Sequence, residues 1–372
     1  MEVQAAKPFF HEDDIKSIVN RIEAVLKSGK LFMGDNVNEL EKLFAEYIGV
    51  RNAVAVNSGT SALEIPMRYF DVKKREVIVP TNSFVASANT VIYAGGRPVM
   101  ADIREDTLCI DPESIKEKIN SKTKGVMVVH LAGLVCPQIK EIQEICQENN
   151  LFLIEDAAHA HGASIDGIKA GNLGNVGCFS FFPTKLMTTG EGGIITTNNN
   201  DLVEYSKSVR HHGIKSRDTY DKLGYNWRMC EINAILGIHQ LNRLEEFIIK
   251  RNEIAKKYRN ELKNLNDIKL ISNPKNIINS YYKFPIIVSV DAIKLQQNLK
   301  EKYRINTGFL YYPPIHLQPL YKEKFGYKEG DLPVSERILN KIVCLPMFVG
   351  MTDEQINYVI ESLKNEINNM PM

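Results

Sequence analysis

Residues 178–194, from Cys178 to Ile194, read CFSFFPTKLMTTGEGGI. Phe179, Phe181 and Phe182 favour a strand, Pro183 interrupts it, and Gly190, Gly192 and Gly193 mark a turn that leads into the apolar run GGIITT. Lys185 falls between the two runs. Its neighbours put the amine on a turn at the edge of a sheet, partly withdrawn from water. Such burial lowers a lysine pKa and favours the neutral, nucleophilic amine that Schiff-base chemistry needs. The competing reading of this window alone is a lysine whose stem crosses an apolar turn while its head reaches solvent.

The sequence on either side decides the fold class. Between Ala53 and Ile195, the short runs AVAV, EVIVP, PVMADI, GVMVVHLAG, LFLIED, VGCFSFF and GGIITT alternate with helical patterns. Alternation of this kind predicts an α/β fold with a mostly parallel sheet sandwiched by helices. The runs are continuously apolar, as expected of strands buried on both faces. From about Leu202 the pattern turns helical, and EINAILGIHQLNRLEEFIIKRNEIAKKYRNELKNL predicts one long amphipathic helix or two joined ones. The segments KFPIIVSV, INTGFLYYPP, KIVCLPM and MTDEQINYVIESLKNEI predict a small α+β domain. The expected division is a large domain over residues 1–240, with an N-terminal helical segment, and a linking helix plus small C-terminal domain over 241–372.

Composition narrows the function. A chain of 372 residues with 46 Lys+Arg against 45 Asp+Glu has a net charge of +1, which gives no electrostatic footprint for nucleic acid or anionic membrane. The opening MEVQAAKPFFHEDDIKSI lacks the apolar core of a signal peptide, and no segment offers a transmembrane run, so a cytoplasmic location is expected. Cys109, Cys136, Cys146, Cys178, Cys230 and Cys344 form no C-x-x-C pair and are expected to be free thiols.

In α/β sheets the binding crevice lies beyond the carboxyl ends of the strands, so the polar residues that follow strands are the candidates. After AVAV come Asn57, Ser58, Gly59, Thr60 and Ser61, where the amides at a helix start can bind phosphate or the hydroxyls can simply cap the helix. After EVIVP, Phe84 can stack on a flat ring or belong to the core. After LFLI, Asp156 ends a very apolar strand, with His159 one turn further on. Glu155, Asp156, His159 and His161 could suggest a metal cluster, but no other group of ligand spacing accompanies them and no metal is expected. The sharper reading of Asp156 is a carboxylate paired with a protonated ring nitrogen. In KLGYNWRMCEINA, Asn226 and Arg228 precede the long helix, where they can reach a phosphate or carboxylate, or Asn226 can cap the helix.

The order of these signals is more specific than any one of them. A phosphate turn, a stacking aromatic, a ring-nitrogen carboxylate, the hydroxyl of Ser180 and then a Schiff-base lysine describe a pyridoxal-phosphate site. Here the chain resembles the DegT/DnrJ/StrS-type sugar aminotransferases of the fold-type I class. The resemblance runs through PFFHEDDIKSIVNRIEAVLKSGK, NSGTSAL, EDAAHAHG, SFFPTKLMTTGEGG, GYNWRM, IHLQPLY and LPMFVGMT, nearly the whole chain.

The resemblance implies that Lys185 holds pyridoxal 5'-phosphate as a Schiff base and that Asp156 partners its ring nitrogen. It implies a phosphate cradle from Gly59, Thr60 and Ser61 with Ser180, stacking by Phe84, and contact of His159 with the ring hydroxyl. Asn226 is similar to a residue that reaches the phosphate of the neighbouring subunit, which implies a homodimer with shared active sites. His316 matches a histidine near the substrate sugar, and Arg228 is a further candidate for substrate binding.

The implied reaction carries an amino group from L-glutamate, through the pyridoxamine form, to a keto sugar, foremost a nucleotide-linked 4-keto-6-deoxy sugar. Related dehydratases carry histidine at the lysine position, so Lys185 favours the aminotransferase. Many members carry glutamine at position 159, and the segments SGKLFMGDNV and HLAGLVCP also depart from the commoner pattern. The alternatives are therefore a free or phosphorylated keto sugar of octulosonate type, a keto-cyclitol, or a regulatory protein that binds the cofactor without turnover.

Overall fold

The computed structural model describes residues 1–370. The seven apolar runs become seven strands: β1 (Asn52–Val56), β2 (Glu76–Pro80), β3 (Arg97–Ala101), β4 (Thr123–Val129), β5 (Phe152–Asp156), β6 (Val176–Ser180) and β7 (Gly193–Thr197). They form one sheet in the order β1-β7-β6-β5-β4-β2-β3. β2, β3, β4, β5 and β6 pair in parallel, whereas β7 runs antiparallel to both β6 and β1. The link from β6 to β7 holds no crossover helix, only the turn that carries Lys185, and a connection that short returns the chain antiparallel.

Two runs end earlier than their composition suggests. The aromatic strand stops at Ser180, before Pro183 is reached. β4 stops at Val129, and Leu131–Gly133 makes a single tight turn in which Ala132 has φ 59° and Gly133 φ 100°. A Cβ on Gly133 would lie 2.7 Å from both Ser280 Oγ and the Tyr281 nitrogen, so only glycine lets these two segments meet. The contact is closed by Ser280 N–H donating to the Gly133 carbonyl at 3.1 Å and Lys283 N–H to the Ala132 carbonyl at 3.2 Å.

The long helical stretch is two helices, α1 (Glu231–Asn242) and α2 (Leu244–Leu262), parted at Arg243. α1 buries Ala234, Ile238 and Leu241 in the core that includes Leu40, Phe44, Phe179 and Phe181. α2 sends Ile254, Ala255, Tyr258 and Leu262 into a different core with Phe284, Ile286 and Leu345. That second core covers a three-stranded antiparallel sheet of β8 (Ile268–Leu270), β9 (Phe284–Val288) and β10 (Ile342–Leu345). The first residues of the chain pack there too, in contrast to the expected grouping of residues 1–240: Val3 is buried in this core and exchanges backbone hydrogen bonds with Arg304 and Asn306. Among the described residues, no helix is long and apolar enough to cross a membrane.

The centre of the main sheet is fixed by a charge. Glu155 on β5 is completely buried, and its Oε1 accepts from the Leu173 and Gly174 amides at 2.7 and 2.6 Å. Its Oε2 accepts from the Gly171 amide at 2.7 Å and from His130 Nε2 at 2.9 Å. His130 Nδ1 accepts from the Cys136 amide, so the ring proton resides on Nε2 and points at the carboxylate. Glu155→Leu strands four buried donors at once. We expect it to lower unfolding free energy by roughly 3–5 kcal/mol, read as a fall in the urea midpoint.

Candidate active site

The carboxyl ends of β1, β5 and β6 open on one cavity of about 350 Å³. Gly59, Thr60, Phe84, Asp156, His159, Ser180 and Lys185 all line it. At its floor Ser58 caps the helix Gly59–Tyr69, its Oγ accepting from the Ser61 amide at 3.1 Å. The Gly59 and Thr60 amides belong to the first helical turn, where no intrahelical acceptor exists. Close packing brings that turn against β6 and β7: a Cβ on Gly59 would lie 2.6 Å from Ser180 Cβ, and one on Gly193 2.3 Å from the Ser58 carbonyl oxygen. Two glycines thus set amides beside the Ser180 hydroxyl at the positive end of a helix dipole, an arrangement suited to phosphate.

Asp156 ends β5 and is 5% exposed. Its Oδ2 accepts from Ser87 Oγ at 2.7 Å and its Oδ1 from the Ala158 amide at 3.2 Å, while Ser83 Oγ lies 2.6 Å from Ser87 Oγ. Burial pushes the carboxyl pKa up; the Ser87 and Ala158 hydrogen bonds and the positive field of Lys185 oppose it. An ionised carboxylate held this way has room to gain from a cation in the cavity.

Lys185 sits on the turn after β6, its amide donating to the Phe182 carbonyl at 2.9 Å. Burial holds its ammonium below the ordinary lysine value, and the Lys283 charge adds to that, against opposing effects of Tyr282 and Asp156. Its Nζ lies 4.8 Å from the centre of the Tyr282 ring, and the Tyr282 hydroxyl is 3.1 Å from Thr184 Oγ1.

His159 is buried and its pKa lies well below the ordinary value, through desolvation and then the charges of Lys185 and Lys283. Its Nδ1 accepts from the Ala132 amide at 3.3 Å, which puts the proton of the neutral ring on Nε2, 3.1 Å from the Tyr311 hydroxyl. His159 Nε2–H therefore donates to Tyr311, and the phenol keeps its own proton to give to a ligand. Phe84 is 58% exposed, its ring centroid 6.3 Å from that of Tyr311, so one aromatic face is free to stack.

Four expected residues lie elsewhere. Ser61 Oγ turns back to donate to Asn57 Oδ1 at 2.7 Å. Asn226 does not cap α1, whose N-cap is Cys230; its Oδ1 accepts from Arg228 Nε at 2.9 Å. The Arg228 guanidinium lies over the exposed Phe32 ring at 4.7 Å, on an outer face. His316 is fully buried, with Nδ1 2.8 Å from Thr81 Oγ1 and Nε2 3.0 Å from Glu336 Oε1, and both its ring nitrogens are thereby occupied within the fold. His161 is wedged against Phe179 and Phe181, its pKa pushed down to about 3 by burial. Among the described residues, no three His, Cys, Asp or Glu side chains converge as a metal ion requires. Ser87, Tyr282 and Tyr311 went unmarked by sequence reasoning; Ser87 was within reach of it, one helical turn after Phe84.

A mostly parallel sheet with a half-buried lysine on the turn after one central strand, and a buried carboxylate at the end of its neighbour, defines the pyridoxal-phosphate-dependent transferases of fold type I. The model of the DegT/DnrJ/EryC1/StrS aminotransferase family matches residues 12–364, and the chain belongs to that family. It is 34% identical to the GDP-perosamine synthase of Vibrio cholerae over 341 residues, 90% of this chain and 92% of the relative. Among solved structures it resembles PseC of Helicobacter pylori, an aminotransferase involved in the biosynthesis of pseudoaminic acid. The TM-score is 0.93 at 28% identity, covering 100% of both chains. The PLP form of the sugar aminotransferase Spr1654 from Streptococcus pneumoniae superposes with TM-score 0.93 at 25% identity, again over 100% of both chains.

A depressed lysine pKa leaves more free amine at a given pH. With limiting pyridoxal phosphate and borohydride at increasing pH, we expect peptide mass mapping to find the adduct on Lys185 first. Surface lysines should join only as the pH approaches their ordinary value, and Lys185→Arg should remove the early adduct.

Proposed function

We propose that this protein is an aminotransferase that uses pyridoxal phosphate on Lys185 to move an amino group from L-glutamate to a nucleotide-linked keto sugar. The acceptor class we favour is a 4-keto-6-deoxy sugar. The observation that carries this reading is the pairing, in one cavity, of a half-buried lysine of lowered pKa with a buried carboxylate of raised pKa. The GDP-linked product in the name of the Vibrio cholerae relative supports a nucleotide-linked acceptor.

The residues present fit the cofactor. The Gly59 and Thr60 amides with Ser180 Oγ would hold its phosphate, Phe84 would lie on one face of its ring, and Asp156 would hold the proton of its ring nitrogen. Tyr311 O–H, fixed by His159, is the donor available to the ring hydroxyl, so His159 serves that contact at one remove. When bound, pyridoxal phosphate supplies an electron sink for the bond that breaks at the donor's α-carbon.

Lys185 contributes the amine and carries the proton. Its lowered pKa keeps Nζ available as a base at the α-carbon of the donor, and the same atom returns a proton at the carbon of the sugar that receives nitrogen. Ser83 and Ser87 orient Asp156, and so keep its charge directed at the ring position.

A second copy of the chain completes the proposal. Leu31, Phe32, Tyr220 and Leu223 are all exposed around Arg228 and Asn226, and such an apolar patch rimmed by polar groups suits self-association. We assign this face to a homodimer in which Asn226 serves the neighbouring cavity, and place the enzyme in the cytoplasm.

The test is the visible absorbance of the loaded protein before and after excess L-glutamate, followed by a panel of keto sugars. Bleaching of the lysine-bound cofactor band and turnover of a nucleotide-linked keto sugar are the expected results. Asp156→Ala should slow the glutamate step by more than about a hundredfold while cofactor stays bound. Turnover of only free or phosphorylated keto sugars, or only keto-cyclitols, would replace the acceptor. A cofactor band that no amino donor changes would point to a binding protein without turnover.

A further inference from the structure

A second, smaller chamber of about 190 Å³ adjoins the first, and Thr184 and Tyr282 line both. Its lining is Ala6, Cys344, Leu345, Met347 and their neighbours, and among its lining residues Lys283 alone is charged. One Nζ donor of Lys283 goes to the Phe309 carbonyl at 2.8 Å. An ammonium carries three donors, so two remain for a ligand. Lys283 Nζ lies 5.8 Å from the centre of the Tyr282 ring and 6.0 Å from that of Tyr311, so it stands beside the same tyrosine that Lys185 approaches at 4.8 Å. Its charge acts on both Lys185 and His159.

We infer that Lys283 receives the α-carboxylate of the amino donor; this rests on the aminotransferase reading above. The argument is one of reach. An α-amino acid carries its carboxylate one bond from the carbon that must lie at Lys185, whereas a nucleotide-linked sugar carries its phosphates at C1, away from the keto carbon. A cation that shares a tyrosine ring with Lys185 is placed for the first anion and not for the second. Lys283 is half-buried, so its ammonium can reach a ligand in the chamber, and a carboxylate there gains a charge-assisted hydrogen bond. The backbone N–H of Lys283 is tied to Ala132, next to the turn that fixes His159, so its position is set by the joint between the two halves of the chain.

The test uses the loaded enzyme and α-methyl-L-glutamate, which has no α-hydrogen and cannot complete transfer. Calorimetric Kd values are measured for wild type, Lys283→Ala and Lys283→Arg, with melting temperature, cofactor absorbance and the borohydride adduct on Lys185 as controls. We expect Lys283→Ala to weaken binding by at least about tenfold with the melting temperature and the site of the adduct unchanged, and Lys283→Arg to recover most of it. In the opposite half-reaction, started from the pyridoxamine form, apparent affinity for a keto sugar should stay within about twofold, since no carboxylate is involved. Equal Kd values in wild type and Lys283→Ala, or a defect confined to the keto-sugar half, would overturn the assignment while leaving the aminotransferase reading intact. Failure of wild type to form the Lys185 adduct would instead overturn that reading, and this assignment with it.

Discussion

The buried carboxylate of Glu155 is the constraint on which the rest of the site depends. Successive residues of a strand face opposite ways, so once Glu155 is fastened to His130 and the amides of residues 171, 173 and 174, Asp156 can only face the other side. That side is the cavity. The fastening also sets the chain that leads into β6, because the segment holding those three amides delivers Val176 to its place beside Ile154. Lys185, eight residues of chain past Gly177, inherits its position from the same anchor. A charge with no solvent contact thus aligns two strands and, through them, the acid and the amine whose opposition defines the chemistry.

Around that opposed pair the protein uses neutral groups. Burial and then the nearby lysine charges hold the His159 pKa well below its ordinary value, and its tautomer is fixed by one backbone amide. Ser83 and Ser87 pass hydrogen bonds to Asp156 without adding charge. The result is a cavity whose ionic groups are Lys185, Asp156 and the exposed Glu191, with Lys283 in the adjoining chamber. In a site of low dielectric each of them acts at longer range than it would in water.

Much of this was legible in the sequence because it is local. A strand announces itself by continuous β-branched residues, and the residue after a strand is at the rim by construction, which is why Gly59, Thr60, Phe84, Asp156, Ser180 and Lys185 could be marked before any contact was known. Tyr282, Lys283 and Tyr311 could not be marked that way. Tyr282 reaches the cavity, and Lys283 the chamber beside it, because Gly133 permits the segment around Ser280 to dock against the large sheet, a contact between residues 147 positions apart with no periodic signal. His316 shows the opposite difficulty. Its motif points to a ligand, and nothing beside it in the chain reveals that Glu336 and Thr81 occupy its ring. Ser61, expected to serve through its amide, shows the same difficulty: that amide donates to Ser58 Oγ and the hydroxyl to Asn57, contacts made within the turn itself.

The placement of Val3 has a consequence for how the chain comes to be. Its backbone partners are Arg304 and Asn306, and the Ala5 carbonyl takes a hydrogen bond from Met347. A polypeptide is made from amino end to carboxyl end, so the segment around Val3 must wait until residues 304–347 are made before the surface that receives it exists. Tyr282 and Tyr311, which line the cavity of Lys185, also come later in the chain than the lysine. During elongation the nascent chain carries the lysine before the two tyrosines that line its cavity are made.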